Sequence, residues 1–246
     1  MKWIKKIFGR KSEIDVEGVD ERVDSSSGID PEMQEMLEKG GEARELVLAS
    51  LGDLDSDVIA PFVNPAFMGG PAWPSLRQSW RVIRKSGSTI VVSDGLSDPF
   101  EDEKVPLGYK VEVCAEAPET YPDIRSSWLF GIVYQVSQLV AHHGNVHEML
   151  ENKYNTLSTV VSVDGLPEEW KNEDGKVGVL LGFPNENLPP HIQLPEGSVR
   201  ILVIKLLHPR ELRFIEADED MEKQRNILVA AFKGNHLSEV DREPVV

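Results

Sequence analysis

Residues 126–143 read SSWLFGIVYQVSQLVAHH, and the spacing of their apolar groups decides what the rest of the chain must be. At a helical period Trp128, Ile132, Val136 and Leu139 form one stripe, and Leu129, Val133 and Val140 widen it. Ser126 or Ser127 offers a side-chain oxygen to the first free amides. Gly144 is placed for a left-handed stop. So wide an apolar surface calls for packing across a sheet.

The flanking sequence supplies that sheet. Residues 80–96, WRVIRKSGSTIVVSDGL, give two extended runs around Lys85-Ser86-Gly87-Ser88, a hairpin signature. Residues 109–117, YKVEVCAEA, alternate: Val111, Val113 and Ala115 face one way, Lys110, Glu112 and Glu116 the other, as in a sheet with one wetter face. Further strands are predicted at 156–163, 177–183 and 199–207. The last, VRILVIKLL, is apolar on both faces and reads as central. PRELRFIEA and DEDMEKQRNILVAAF close the fold as helices, with Asp218 or Asp220 as cap and Met221, Leu228 and Phe232 as docking residues. Upstream, Asp30-Pro31 opens a helix over about 31–51, with Met33, Met36, Leu37, Leu46 and Val47 on its apolar stripe and Gly40-Gly41 as an interruption, so that two short helices joined there fit as well as one long one. The fold class is α+β: a mixed or antiparallel β-sheet covered by the long apolar helix and a C-terminal helix.

Between the first helix and the hairpin lies PFVNPAFMGGPAWPSLRQ, residues 61–78, too rich in proline for regular structure. Its Phe62, Phe67, Met68 and Trp73 are too apolar for a solvated linker, so the segment is read as a long loop packed over the domain. Left exposed, it would be a partner surface.

The 246 residues divide into a basic then acidic N-terminal tail (1–30), one domain (31–234) and a C-terminal tail (235–246). The opening MKWIKKIFGRK lacks the cleavage pattern of a signal peptide. At helical spacing residues 2–11 form a short interfacial segment with weak attraction to anionic lipid. No run approaches the length of a membrane span, and the chain is read as cytoplasmic. A formal charge of −16 repels nucleic-acid phosphate and suits a basic protein partner. The single cysteine, Cys114, excludes an intrachain disulfide and reads as a buried small hydrophobe.

Candidate chemistry gathers at residues 91–103, VVSDGLSDPFEDE. Asp94, Asp98, Glu101, Asp102 and Glu103 offer hard oxygen ligands or a general acid, but without calcium-loop spacing. Asp94-Gly95 and Asp98-Pro99 are explained more simply as turns. His142, His143 and His147 are dense but lack HExxH, and Gly144-Asn145 breaks the helix between them. His208 before Pro209 reads as a strand-end hydrogen-bonder. There is no phosphate loop, dinucleotide fingerprint or serine elbow. No catalytic residue, cofactor or metal is assigned.

GLSDPFEDEKVPLGYKVEV, Gly95 to Val113, following Trp80 and preceding SSWLFGIVYQVSQLV, resembles the suppressor-of-fused domain family. VGVLLGFPNENL and VRILVIKLLHPREL fit that family's later strands and the start of a helix, so the likeness runs from about residue 55 to 233. It implies a non-enzymatic protein-binding module. Animal members restrain transcription factors, and bacterial relatives include toxin-neutralising proteins. The chain leaves no room for the animal members' second domain, so the transcription-factor partner is not carried over. The expected function is an inhibitor or immunity-type protein, with Trp73, Asp98, Glu101, Asp102 and Trp170 as protein-binding candidates. The alternatives are a metal-assisted hydrolase pairing Asp94 or Asp98 with His142 or His143, or a peripheral membrane adaptor using residues 2–11.

Overall fold

The long helix and its sheet set the frame. The structure, a computed structural model, describes residues 30–100 and 105–246. Helix α1 spans Pro31–Ala49, followed by the short β1 (Asp53–Leu54), the hairpin β2 (Trp80–Lys85) and β3 (Ser88–Ser93), and β4 (Val111–Ala117). Then come α2 (Trp128–His143), α3 (Val146–Asn152), β5 (Leu157–Val161), β6 (Val177–Leu181), β7 (His191–Leu194), β8 (Gly197–Leu207), α4 (Pro209–Glu216) and α5 (Met221–Ala231). Among the described residues the strands form one mixed sheet in the order β1-β2-β3-β4-β8-β6-β5, with β7 pairing β8 beside β6. The pairing is antiparallel except between β4 and the central β8, which run parallel from Val111↔Arg200 to Cys114↔Val203.

Helix α2 forms as its sequence demands. Ser127 Oγ accepts from the Phe130 amide, and Gly144 closes the helix in the left-handed region, its amide donating to Val140 O. Leu129, Ile132, Val133, Val136 and Val140 bury completely or nearly so against Val91, Val111, Val113 and Leu202. Each contributes about 1.5–3 kcal/mol of apolar burial. The opposite sheet face carries a second core, in which Ile83, Ile90, Val92, Cys114 and Val203 meet Leu48 of α1, Leu212 and Ile215 of α4, and Leu228 of α5. The sheet is thus covered on both sides.

That second core corrects the expected wetter face. Glu112 and Glu116 of β4 are as buried as their apolar neighbours, and each is supplied with donors. Burial also pushes the Cys114 thiol up to about 12, with Glu116 adding to the effect, so it is an inert core group.

Other expectations shift in instructive ways. The Gly40-Gly41 pair does not interrupt α1, whose buried residues are Met33, Gly40, Arg44 and Leu48, while Leu46 is exposed. α3 and β7 are elements that apolar periodicity did not reveal, because they are only 7 and 4 residues long. Met221 is exposed rather than docked, while Leu228 and Phe232 are buried and Asp220 caps α5. His208 caps α4 in a capping box with Glu211. Residues 235–246 are no tail: Pro31–Val246 form one packed unit, with His236 and Ser238 buried in it.

Candidate protein-binding surface

The sequence GLSD acquires its meaning from a charge that enters from α1. Gly40, Arg44 and Leu48 share one helical face turned to the protein interior. Arg44 donates from Nε to Asp94 (2.7 Å), from Nη2 to Asp98 (2.5 Å) and from Nη1 to Ser97 Oγ (3.2 Å). Gly40 lies against the guanidinium: a Cβ there would stand 3.7 Å from Arg44 Nη1, an ordinary packing distance. Arg77 adds a fork onto Asp98, with Nε and Nη2 each at 3.0 Å, and Ser75 Oγ donates to the same carboxylate at 2.6 Å.

Glu112 holds the turn from below. It accepts from the amides of Gly95 (3.1 Å) and Ser97 (3.0 Å) and from the hydroxyls of Ser93 (2.5 Å) and Ser97 (2.6 Å). The glycines of the motif are steric requirements. Gly95 has φ 142°, and a Cβ there would fall 2.5 Å from Arg77 O. Gly108 has φ 44°, and its Cβ would fall 2.3 Å from Asp98 O.

The electrostatics follow from burial and pairing. Burial works against the charge on Arg44, but Asp98 and Asp94 more than offset it and hold the guanidinium protonated far above its usual range. The same balance raises Arg77, with burial opposed by Asp94 and Asp98. Burial, joined by Asp94, raises Glu112, while Arg44 and the hydrogen bonds from Ser93 and Ser97 pull the other way. These carboxylates are committed to arginines, hydroxyls and amides. The cluster is a structural knot that sets the path of the chain, not an open catalytic pair.

The knot fixes the loop of residues 61–78. Ser75 and Arg77 tie it to Asp98. Gln78 donates to Pro71 O (3.0 Å) and to Asn64 Oδ1 (3.3 Å), and accepts from Gln138 of α2 at 2.8 Å. Asn64 accepts from the Ala66 amide (2.9 Å) to cap the turn Pro65–Met68, and donates across the loop to Leu76 O. Leu76 itself sits at φ 57°, a costly conformation for a branched-chain residue that the closed loop imposes. Trp73 plugs the loop into the core edge-on to Trp80 at 5.3 Å, and Trp80 donates to Ser137 Oγ of α2 at 3.1 Å.

On the outside of this tied loop the apolar groups stand in solvent. Phe62 is 104 % exposed, Phe67 76 % and Met68 78 %, with Val63 and Leu76 also exposed. Exposed aromatics and methionine on a fixed backbone are the composition of an interface core. The expectation that this segment packs over the domain is therefore half right: Trp73 packs, and Phe62, Phe67 and Met68 do not.

The sequence-derived surface residues fall elsewhere. Trp73, Asp98 and Trp170 are 1 %, 0 % and 2 % exposed, which corrects their reading as surface groups. Trp170 donates to Val240 O at 2.8 Å and stacks edge-on to His208. Glu101 and Asp102 lie outside the described residues, as do residues 2–11. His142 and His143 are exposed in the last turn of α2, where Gly144 ends the helix. Among the described residues no group of three His, Cys, Asp or Glu is placed to hold a metal ion, and no helix is long and apolar enough to cross a membrane. A cavity of about 260 Å³ between β8 and α5 is lined by Asn155, Thr156, Phe183, Asn185, Arg200 and Asn226, among others. Among the described residues that line it, Arg200 alone is ionisable.

No protein-family model and no curated protein matches the chain. Among solved structures, a chain of the Sufu–Fu complex aligns over 87 % of this chain and 91 % of its own length, at 14 % identity and a TM-score of 0.46. Drosophila Suppressor of Fused aligns over 64 % of this chain and 39 % of its own, at 18 % identity and a TM-score of 0.32. The likeness is one of fold, and distant.

Proposed function

We propose that the chain is a non-enzymatic, cytoplasmic protein-binding module that docks a basic partner through the outer face of residues 62–76. The observation that carries this reading is the exposed set Phe62, Phe67 and Met68 on a loop fixed from behind by Asn64, Gln78, Arg77 and Trp73. A fixed loop loses little conformational entropy on binding, so its aromatics act as preorganised anchors. The net charge of −16 attracts a cationic partner to the chain and repels nucleic acid. The acidic field and apolar anchor together suit an inhibitor of a basic protein, such as a toxin-neutralising protein set against a cationic toxin.

A photo-crosslinking side chain placed at position 67, with a control at the exposed Asp174, tests the reading in the native host. A partner captured from position 67 and absent from position 174 supports it. Equal capture from both, or none from position 67, overturns it.

A further inference from the structure

The central pair of strands forks, and the C-terminal segment fills the fork. β4 and β8 stay hydrogen-bonded only to Cys114↔Val203, while β4 runs on to Ala117 and β8 to Leu207. Their outer edges remain paired, β4 with β3 and β8 with β6, so the gap opens between the two inner edges. Ser238 bridges it. Its amide donates to Glu116 O (2.8 Å), and its hydroxyl accepts from the Leu206 amide (3.0 Å). On one side His236 meets Glu116 at 2.8 Å. On the other, the buried Lys205 donates to Leu237 O, Arg242 forks onto Glu211 at 2.5 and 2.6 Å, and the Val245 amide donates to Glu211 at 3.0 Å.

The turn that feeds this segment back into its own fork is strained. Phe232–Asn235 closes with the Asn235 amide donating to Phe232 O at 3.0 Å, and both central residues are left-handed, Lys233 at φ 52° and Gly234 at φ 80°. Such mirror-image turns favour asparagine or glycine at both positions. Lysine in the first is held at a cost, and it is exposed.

We propose that the C-terminal segment exchanges between copies: residues 235–246 of one chain fill the β4–β8 fork of a second, and reciprocally, in a two-fold dimer. Every contact of Glu116, Leu206, Lys205, Trp170 and Glu211 with the segment is remade identically across the pair. The hinge alone distinguishes the closed and exchanged forms, because opening Phe232–Asn235 releases the left-handed lysine. A short hinge under strain feeding a segment that packs as a unit is the arrangement that favours exchange.

The test refolds the full chain at increasing concentration and reads its mass by size-exclusion chromatography with light scattering. Wild type yields a dimer fraction that rises with concentration and, once formed, persists on dilution. Lys233→Pro, whose φ cannot become positive, shifts the product to dimer. Lys233→Gly relieves the closed turn and lowers the dimerisation constant by about 5-fold per hinge, roughly 25-fold per dimer. Phe62→Ser/Phe67→Ser leaves the dimer fraction unchanged. A single monomeric mass for wild type and Lys233→Pro at all concentrations overturns the proposal. So do equal dimer fractions for wild type and Lys233→Gly, a comparison that stands if the proline variant fails to fold. Loss of the dimer in the Phe62/Phe67 variant also overturns it, assigning the contact to the aromatic loop.

Discussion

The Asp94–Asp98 turn and the Phe62–Met68 segment are joined through Ser75, Arg77, Gln78 and Asn64, yet one is charged and buried and the other apolar and exposed. Simple partition would place them the other way round. The turn can be buried because Arg44 and Arg77 bring compensating charge and Glu112 takes up its amides. The aromatics can stay out because their backbone is fixed by polar side chains and by Trp73 alone. The inversion separates two jobs: the charged region sets geometry, and the apolar region is left for contact.

The contrast breaks most visibly at the knot. Asp98→Ala leaves Arg44 buried with one of its two carboxylate partners removed and is expected to lower unfolding stability by about 3–5 kcal/mol in a denaturant titration. A loss below 1 kcal/mol would show that the cluster is not structural. Trp73→Ala removes the plug behind the loop and is expected to cost about 3–5 kcal/mol by the same measurement. Phe67→Ala, a few residues away and exposed, is expected to stay within about 0.5 kcal/mol of wild type.

A second buried carboxylate sharpens the point through pH. Burial would raise Glu116, but hydrogen bonds from His236, Ser88 and Lys85 bring it down to about 2 from its usual 4.5. Because the folded-state carboxyl is the stronger acid, its stabilisation is complete above about pH 4.5 and disappears as pH falls toward 2. Unfolding followed against pH is expected to show an acid limb on the order of 2–3 kcal/mol, absent in Glu116→Gln. Lys205 gives the same sign at higher pH: burial, with Arg242 nearby, lowers it to about 7, so stability again gains as pH rises, here from 7 toward its usual 10.5. Lys205→Met is expected to abolish that alkaline rise.

The smallest effect concerns the helix that delivers Arg44. Gly41 sits in α1 with open space where a Cβ would go, so Gly41→Ala is expected to stabilise by about 0.5–1 kcal/mol, read as a higher melting temperature.

Much of the fold was legible because it depends on periodicity. The stripe from Trp128 to Val140, the alternation of β4 and the Ser86-Gly87 turn each declare their element within a few residues. The site was less legible because it depends on pairing across the chain. Arg44 and Asp98 are 54 positions apart, and nothing local marks them as partners. One signal was present: a lone arginine on the same helical face as Gly40 and Leu48 is a charge pointed into a core. Trp73 and Phe67 show the other limit, since composition places both in one proline-rich loop and only the tertiary anchor separates inward from outward.

The most direct measurement is the affinity of the captured partner for wild type and for Phe62→Ser/Phe67→Ser, by isothermal titration, with melting temperatures taken alongside. A loss of at least about 30-fold in affinity is expected, with the melting temperature unchanged. Equal affinities at equal stability would contradict it.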